Sequence, residues 1–278
     1  FVLFMKRLYL FFFFFFLSCA LKAQPLAQRL DSLLFNDPML KTSEVGISVF
    51  DLTTGRMLFQ HQDEKLYRPA STEKVVTSVS ALATLGLDYT MDTRLQYTGK
   101  IENDTLKGNL YLVGGFDPEF MDEDLDSLVD VIAQSGIRYI ADTLAADVSM
   151  TDSVYWGNGW SWDDVPASFQ PYMSPLMLNR GCVDVTVIPT QKDSLPQVVC
   201  VPASDYYQVD NDGVSHQPKA ERLQITRNWL YHGNLIHISG NVTKETTRTL
   251  SIYNSKEFFF RTFVQRLKAK GIGFNQTT

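Results

Sequence analysis

The chain has 278 residues, 45% of them hydrophobic and 20% charged, enough to build one large or two small hydrophobic cores. Its 25 Lys and Arg against 31 Asp and Glu give a net charge of −6, without the basic surplus on which general nucleic-acid binding depends. Phe1, Phe4 and Phe11 to Phe16 crowd into the first 23 residues, so an ordinary globular composition follows an unusual leader.

That leader begins with Lys6 and Arg7, continues through an apolar run over 8–17 and ends among the small residues Ser18, Ala20 and Ala23. The order reads as a secretory signal peptide over residues 1–23, which sends the protein to the periplasm or cell envelope. The apolar run is shorter than the roughly 20 residues that a membrane-crossing helix takes. Two other readings stand beside cleavage: an uncleaved anchor, and lipidation of Cys19 after Phe16-Leu17-Ser18. Either would be the chain's contact with a membrane. Met5 reads as the natural initiator, and 271–278 follow directly on an apparent helix. The chain is therefore expected to be an N-terminal piece of something longer.

Past the leader, 28–34 reads as a short helix. Residues 44–51 alternate apolar and polar, Thr53-Thr54-Gly55-Arg56 turns the chain, and Met57-Leu58-Phe59 returns it, a β-hairpin pattern. Over 71–85, Val75, Val76, Val79, Leu82 and Leu85 recur at helical spacing before Gly86, which predicts a helix with Ser71 at its start. Strands are expected at 93–97, 109–115, 183–188, 197–201 and 235–239, and an acidic helix at 122–134. A loop rich in Trp, Gly and Asp spans 155–164. A last helix covers 256–270, with Phe259, Phe260, Phe263, Val264 and Leu267 facing inward.

Several conspicuous residues receive plain readings. Cys182 and Cys200 remain after cleavage, and a disulfide or two buried thiols are both open, since spacing in sequence says nothing of Cα distance. His61, His216, His232 and His237 form no ligand-spaced motif, and Asp210-Asn211-Asp212-Gly213 reads as a turn and not a calcium loop. No cofactor or metal is called for. Trp156, Trp160, Trp162 and Trp229 are read as packing residues, with a glycan groove as the alternative.

One motif carries chemistry. Ser71-Thr72-Glu73-Lys74 is the chain's S-x-x-K. A serine hydroxyl is a poor nucleophile until a base takes its proton, and residues three apart on a helix share a face. Lys74 can thus reach the Ser71 hydroxyl. Ser71 at a helix N-terminus would also present its backbone N–H to a developing oxyanion. The competing reading is plain N-capping by Ser71 with a solvated Lys74.

The surroundings extend the motif. A hairpin, then Pro69-Ala70-Ser71-Thr72-Glu73-Lys74, an apolar helix ending in Leu85-Gly86, then Gly108-Asn109-Leu110-Tyr111-Leu112-Val113-Gly114-Gly115-x-Asp117-Pro118 and Gly159-Trp160-Ser161-Trp162-Asp163-Asp164 follow in order. Together they resemble the S13 D-alanyl-D-alanine carboxypeptidase/endopeptidase family, the class C low-molecular-mass penicillin-binding proteins. The resemblance runs from about residue 25 to 278. It implies an α/β fold of the penicillin-binding-protein and serine β-lactamase kind, incomplete here and carrying a large β-rich insertion. The chain would divide into a signal peptide (1–23), a first catalytic segment (24–92), the insertion (93–248) and a return into the catalytic domain (249–278). The implied chemistry is acyl transfer on peptidoglycan stem peptides, with Ser71 as nucleophile and oxyanion donor and Lys74 as general base; β-lactams would acylate the same serine.

The match has a gap. The family's sites also use S-x-N and K-T-G motifs. Ser239-Gly240-Asn241 fits the first by letter but is read as a strand-end turn, and Thr98-Gly99-Lys100 only permutes the second. The 278 residues by themselves are therefore expected to be inactive. Two other functions remain open at this stage: a β-lactamase or esterase of the same fold, and a non-catalytic wall-binding protein.

Overall fold

The computed structural model describes residues 24–278; the leader and Cys19 lie outside the described residues. None of the described helices is long and apolar enough to cross a membrane. The chain separates into two compact units at Asp88/Tyr89.

In the first unit, helix α1 (Leu26–Asn36) is followed by the short α2 (Pro38–Thr42). Asp37 caps α2 by accepting from the backbone N–H groups of Met39 and Leu40, two donors that a helix start leaves unpaired. The expected hairpin forms from β1 (Ile47–Asp51) and β2 (Arg56–His61), paired antiparallel. Asp51 organises the turn: its carboxylate accepts from the Thr53 and Thr54 backbone and the Thr54 hydroxyl, and these bonds hold its pKa below the usual carboxylate value. Helix α3 (Glu73–Leu85) ends at Gly86, whose φ of +83° suits glycine. Among the described residues of this unit, the buried apolar side chains are Leu34 and Phe59. The whole apolar stripe of α3 is open, with Val75 66% and Val79 61% exposed.

The second unit holds a six-stranded sheet in the order β3-β6-β7-β5-β4, with β14 also on β7. The strands are β3 (Arg94–Tyr97), β4 (Lys100–Glu102), β5 (Thr105–Lys107), β6 (Leu110–Val113), β7 (Tyr139–Asp147) and β14 (Gly273–Thr277). β5, β6 and β14 all run parallel to β7. Helices α4 (Asp122–Gln134) and α5 (Ser255–Ala269) belong to this unit, joined by Arg266 to Asp122 at 2.8 Å and by Lys270 to Asp130 at 2.5 Å. Phe258, Phe259 and Phe263 of α5 are fully buried in one core with Leu112, Ile140 and Leu144 of the sheet. Phe258 joins the inward face expected for this helix, while Val264 lies only partly buried.

Two three-stranded sheets complete the unit. One has β8 (Cys182–Ile188) between β9 (Gln197–Val201) and β13 (Thr246–Ser251); the other has β12 (Leu235–Val242) between β10 (Gln208–Ser215) and β11 (Gln224–Arg227). Here the structure corrects the sequence reading twice. Asp210-Asn211-Asp212-Gly213 is no turn: it pairs residue by residue with 237–240 as part of β10, because a neighbouring ladder overrides local turn preference. Ser239-Gly240-Asn241 lies within β12 and does not end the strand. The β8–β9 register sets Val185 opposite Cys200, three residues past Cys182, and both cysteines are free thiols.

Candidate active site

Ser71 sits in a single 3-10 turn, Ala70–Thr72, that leads straight into α3. Pro69 sets the entry with φ −72°, the value its ring imposes. Ala70 follows at φ +46°, a region that L-residues avoid, so the backbone bends sharply just before the serine. Thr72 closes the turn, donating its N–H to Pro69 O at 3.1 Å and its hydroxyl to the same oxygen. Lys74, on the first turn of α3, donates its Nζ to Ser71 Oγ at 2.9 Å. The Ser71 hydroxyl is thus held by the lysine, and neither the 3-10 turn nor α3 takes a side-chain cap. Proton transfer between the two groups needs no further approach.

The letter-match for the second motif lies in the other unit and is already engaged. Asn241 accepts from Gln217 N at 2.9 Å and donates its own N–H to Glu221 O at 2.8 Å. Gly240 has φ +86°, and a Cβ there would come within 2.5 Å of Arg222 O. The tripeptide serves the β12 ladder.

The Trp-rich loop is ordered around aromatic contacts. A 3-10 turn, Trp162–Asp164, brings the Trp162 ring to 5.3 Å from Trp229. Trp156 packs 5.2 Å from Tyr172 and edge-on to Trp160. Trp156, Trp162, Tyr172 and Trp229 line an open cleft of about 350 Å³. Beneath it lies a residue that the sequence reading did not single out. Arg227 is 1% exposed; its Nε donates to Ser251 O at 2.6 Å and its Nη1 to Gly233 O at 2.9 Å, and its guanidinium stands 5.9 Å from the Tyr172 ring centre. Burial pulls its pKa below the ordinary arginine value. The one available signal was its spacing from Ile225, two residues along a strand and therefore on the same, inward face.

Comparison with known proteins gives a consistent family. The sequence model of the "D-Ala-D-Ala carboxypeptidase 3 (S13) family" matches residues 26–278. A D-alanyl-D-alanine carboxypeptidase of Actinomadura sp. (strain R39) is 30% identical over 196 residues, covering 68% of this chain and 36% of that protein. The D-alanyl-D-alanine carboxypeptidase DacB of Haemophilus influenzae is 29% identical over 140 residues, 50% of this chain and 29% of its own length. Among solved structures, penicillin binding protein 4 from Haemophilus influenzae superposes with a TM-score of 0.69 at 22% identity, covering 84% of this chain and 52% of that one. The same protein complexed with a β-lactam gives a TM-score of 0.64 at 21% identity over 90% and 53% of the two chains. The fold is that of the penicillin-binding proteins, as the resemblance implied. The chain spans about a third of the length of the curated relatives it matches.

Proposed function

The chain belongs to the D-Ala-D-Ala carboxypeptidase 3 (S13) family, and from that premise we propose that it carries the nucleophile and base of a serine D,D-peptidase acting on peptidoglycan stem peptides. The carrying observation is the 2.9 Å contact between Lys74 Nζ and Ser71 Oγ at the head of α3.

Lys74 takes the Ser71 proton as Oγ attacks the carbonyl carbon between two D-alanines. The tetrahedral oxyanion is met by the Ser71 backbone N–H at the helix start, where the dipole favours negative charge. Collapse expels the terminal D-alanine as its amine takes up a proton, and leaves an ester on Ser71. Water resolves the ester. Cross-linked peptides enter the same cycle with the cross-link amine as leaving group. A β-lactam acylates Ser71 by opening of its ring amide; the Haemophilus influenzae relative crystallised with such a compound. Export to the periplasm or envelope through the leader fits this substrate.

The activity is assigned to a longer polypeptide. The open apolar stripe of α3 calls for covering groups, and S-x-N and K-T-G partners for Ser71 would come with them. Residues 24–92 would form the first catalytic segment, 93–248 an insertion and 249–278 the return toward the catalytic domain.

A fluorescent penicillin tests the assignment. The longer protein should label and its Ser71→Ala variant should not, while the 278 residues alone should stay unlabelled. Equal labelling of wild type and Ser71→Ala would sink Ser71 as nucleophile; labelling of the 278-residue chain would show that it needs no further groups. Turnover of a chromogenic cephalosporin faster than of a D-Ala-D-Ala peptide would point to a β-lactamase.

A further inference from the structure

The cleft in the second unit is built as a binding site. Its lining comes from distant parts of the sequence: Tyr155, Trp156, Trp162 and Tyr172 from one stretch, Trp229, Leu230 and His232 from another, with the Trp162 and Trp229 rings in contact at 5.3 Å. Packing aromatics are normally covered, yet Trp162 is 66% exposed, while Tyr172 in the same lining is only 4% exposed; the aliphatic Leu230 beside them is 57% exposed. A mostly apolar, aromatic-lined concavity with an open indole face is the kind of surface that takes a ligand.

The floor is fixed by a costly device. Arg227 is buried with no carboxylate partner among the described residues, and its second terminal nitrogen has no hydrogen-bond partner. Burying an unpaired cation costs several kcal/mol in general. What the arrangement achieves is geometric: one guanidinium ties the 229–232 turn, through Gly233 O, to the Tyr172 ring and to the end of β13. The Trp162 wall is pinned separately, by Gln170 Nε2 donating to Ser161 O at 2.6 Å. Elsewhere in the same loop Gly157 packs against Trp160, where a Cβ would lie 2.5 Å from the indole.

The chemistry of the walls selects a ligand. Ring faces carry partial negative charge and attract the polarised C–H face of a pyranose. Asp163 and Asp164 are exposed on the same turn as Trp162 but outside the cleft's lining, and their charge disfavours the approach of an anion. Arg227, the cation next to Tyr172, is turned to the backbone oxygens of Ser251 and Gly233, and among the described lining residues the remaining group that can carry positive charge is His232. A neutral, flat, hydroxylated ligand satisfies all three conditions.

We propose that this cleft is a saccharide subsite that takes an uncharged N-acetylated hexosamine unit, and so holds the glycan strand of the wall. The identity of the sugar rests on the peptidoglycan reading given above; the existence of the site does not. Isothermal titration of the 278-residue protein with tri-N-acetylchitotriose, which bears no peptide, should give saturable binding at millimolar affinity. Trp162→Ala and Trp229→Ala should each weaken it by about tenfold or more, and Trp162→Phe, which restores a ring face, should recover part of the loss. Saturation-transfer NMR on the unaltered protein, irradiating aromatic protons, should reach the sugar C–H protons, a readout that holds even where a variant fails to fold. No saturation, affinity indifferent to both Ala variants, or no transfer would overturn the proposal. So would Trp162-dependent binding of a free stem peptide without binding of the sugar. Sugar binding and penicillin acylation are measured separately, so failure of either leaves the other standing.

Discussion

Lys74 holds its Nζ 2.9 Å from the Ser71 hydroxyl, and as an ammonium it can only donate to that oxygen. In the proposed mechanism the same amine takes the serine proton during attack. Lys74→Met in the longer protein should therefore lower β-lactam acylation by about 10²- to 10⁴-fold. Lys74→Arg separates base from scaffold: it can donate to Ser71 Oγ but cannot accept its proton. If Arg restores acylation, Lys74 merely orients the serine; an equal loss in both variants is the expected result. A second residue-scale effect concerns Cys182. Burial pushes its thiol from the ordinary 9.0 to about 12. A raised folded pKa means stability that is fully present below about pH 9 and is lost as pH climbs toward 12, at most about 4 kcal/mol. Tyr206, also raised to about 12 by burial, acts in the same direction. Denaturation midpoints between pH 7 and 11 should fall on the alkaline side for wild type and fall less for Cys182→Ala; identical profiles would remove Cys182 from the account.

Helix α3 has the composition of a buried element and the exposure of a surface one. Val79→Asp should accordingly leave the unfolding free energy of the 278-residue chain within about 0.5 kcal/mol of wild type, as for an ordinary surface change. In the longer protein the same substitution should reduce penicillin labelling and the melting temperature together, because there it would bury an unpaired carboxylate. Unchanged labelling would mean that this stripe is never covered. The legibility of the elements follows from the range of the forces that make them. The S-x-x-K pair, the hairpin around Gly55 and the acidic helix over 122–134 depend on neighbours within a few residues, and all three were readable. β7 was not: its central Ala141, Thr143, Ala145 and Ala146 blunt the alternation that marks a strand, and its place is set by three partner strands from elsewhere in the chain. The aromatic cleft was half visible. Its tryptophans stood out, but Arg227 and Tyr172 lie 55 positions apart, and nothing local announces a guanidinium under a ring.

At the scale of the whole molecule the two units differ in how much holds them. The second buries Phe258, Phe259, Phe263, Leu112, Ile140, Leu144 and many more apolar side chains in one continuous core. Full burial of each such side chain contributes on the order of 1.5–3 kcal/mol. In the described part of the first unit only Leu34 and Phe59 are buried, so little opposes the chain entropy of more than sixty residues, roughly 1–2 kcal/mol apiece. The Ser71 turn thus rests on the weaker body, which is where local opening is cheapest. Hydrogen–deuterium exchange of the 278-residue chain should show amides of 24–88 exchanging far sooner than those of β7, β8, β12 and α5, and a polypeptide of residues 89–278 should keep the slow set. If the proposed function holds, a longer polypeptide that covers α3 should slow exchange over 73–85 specifically, coupling the order of the Ser71 turn to the groups that join it. Uniform protection across both units would show instead that the first is held by contacts other than its own core, and that the Ser71–Lys74 geometry is fixed before any further chain arrives.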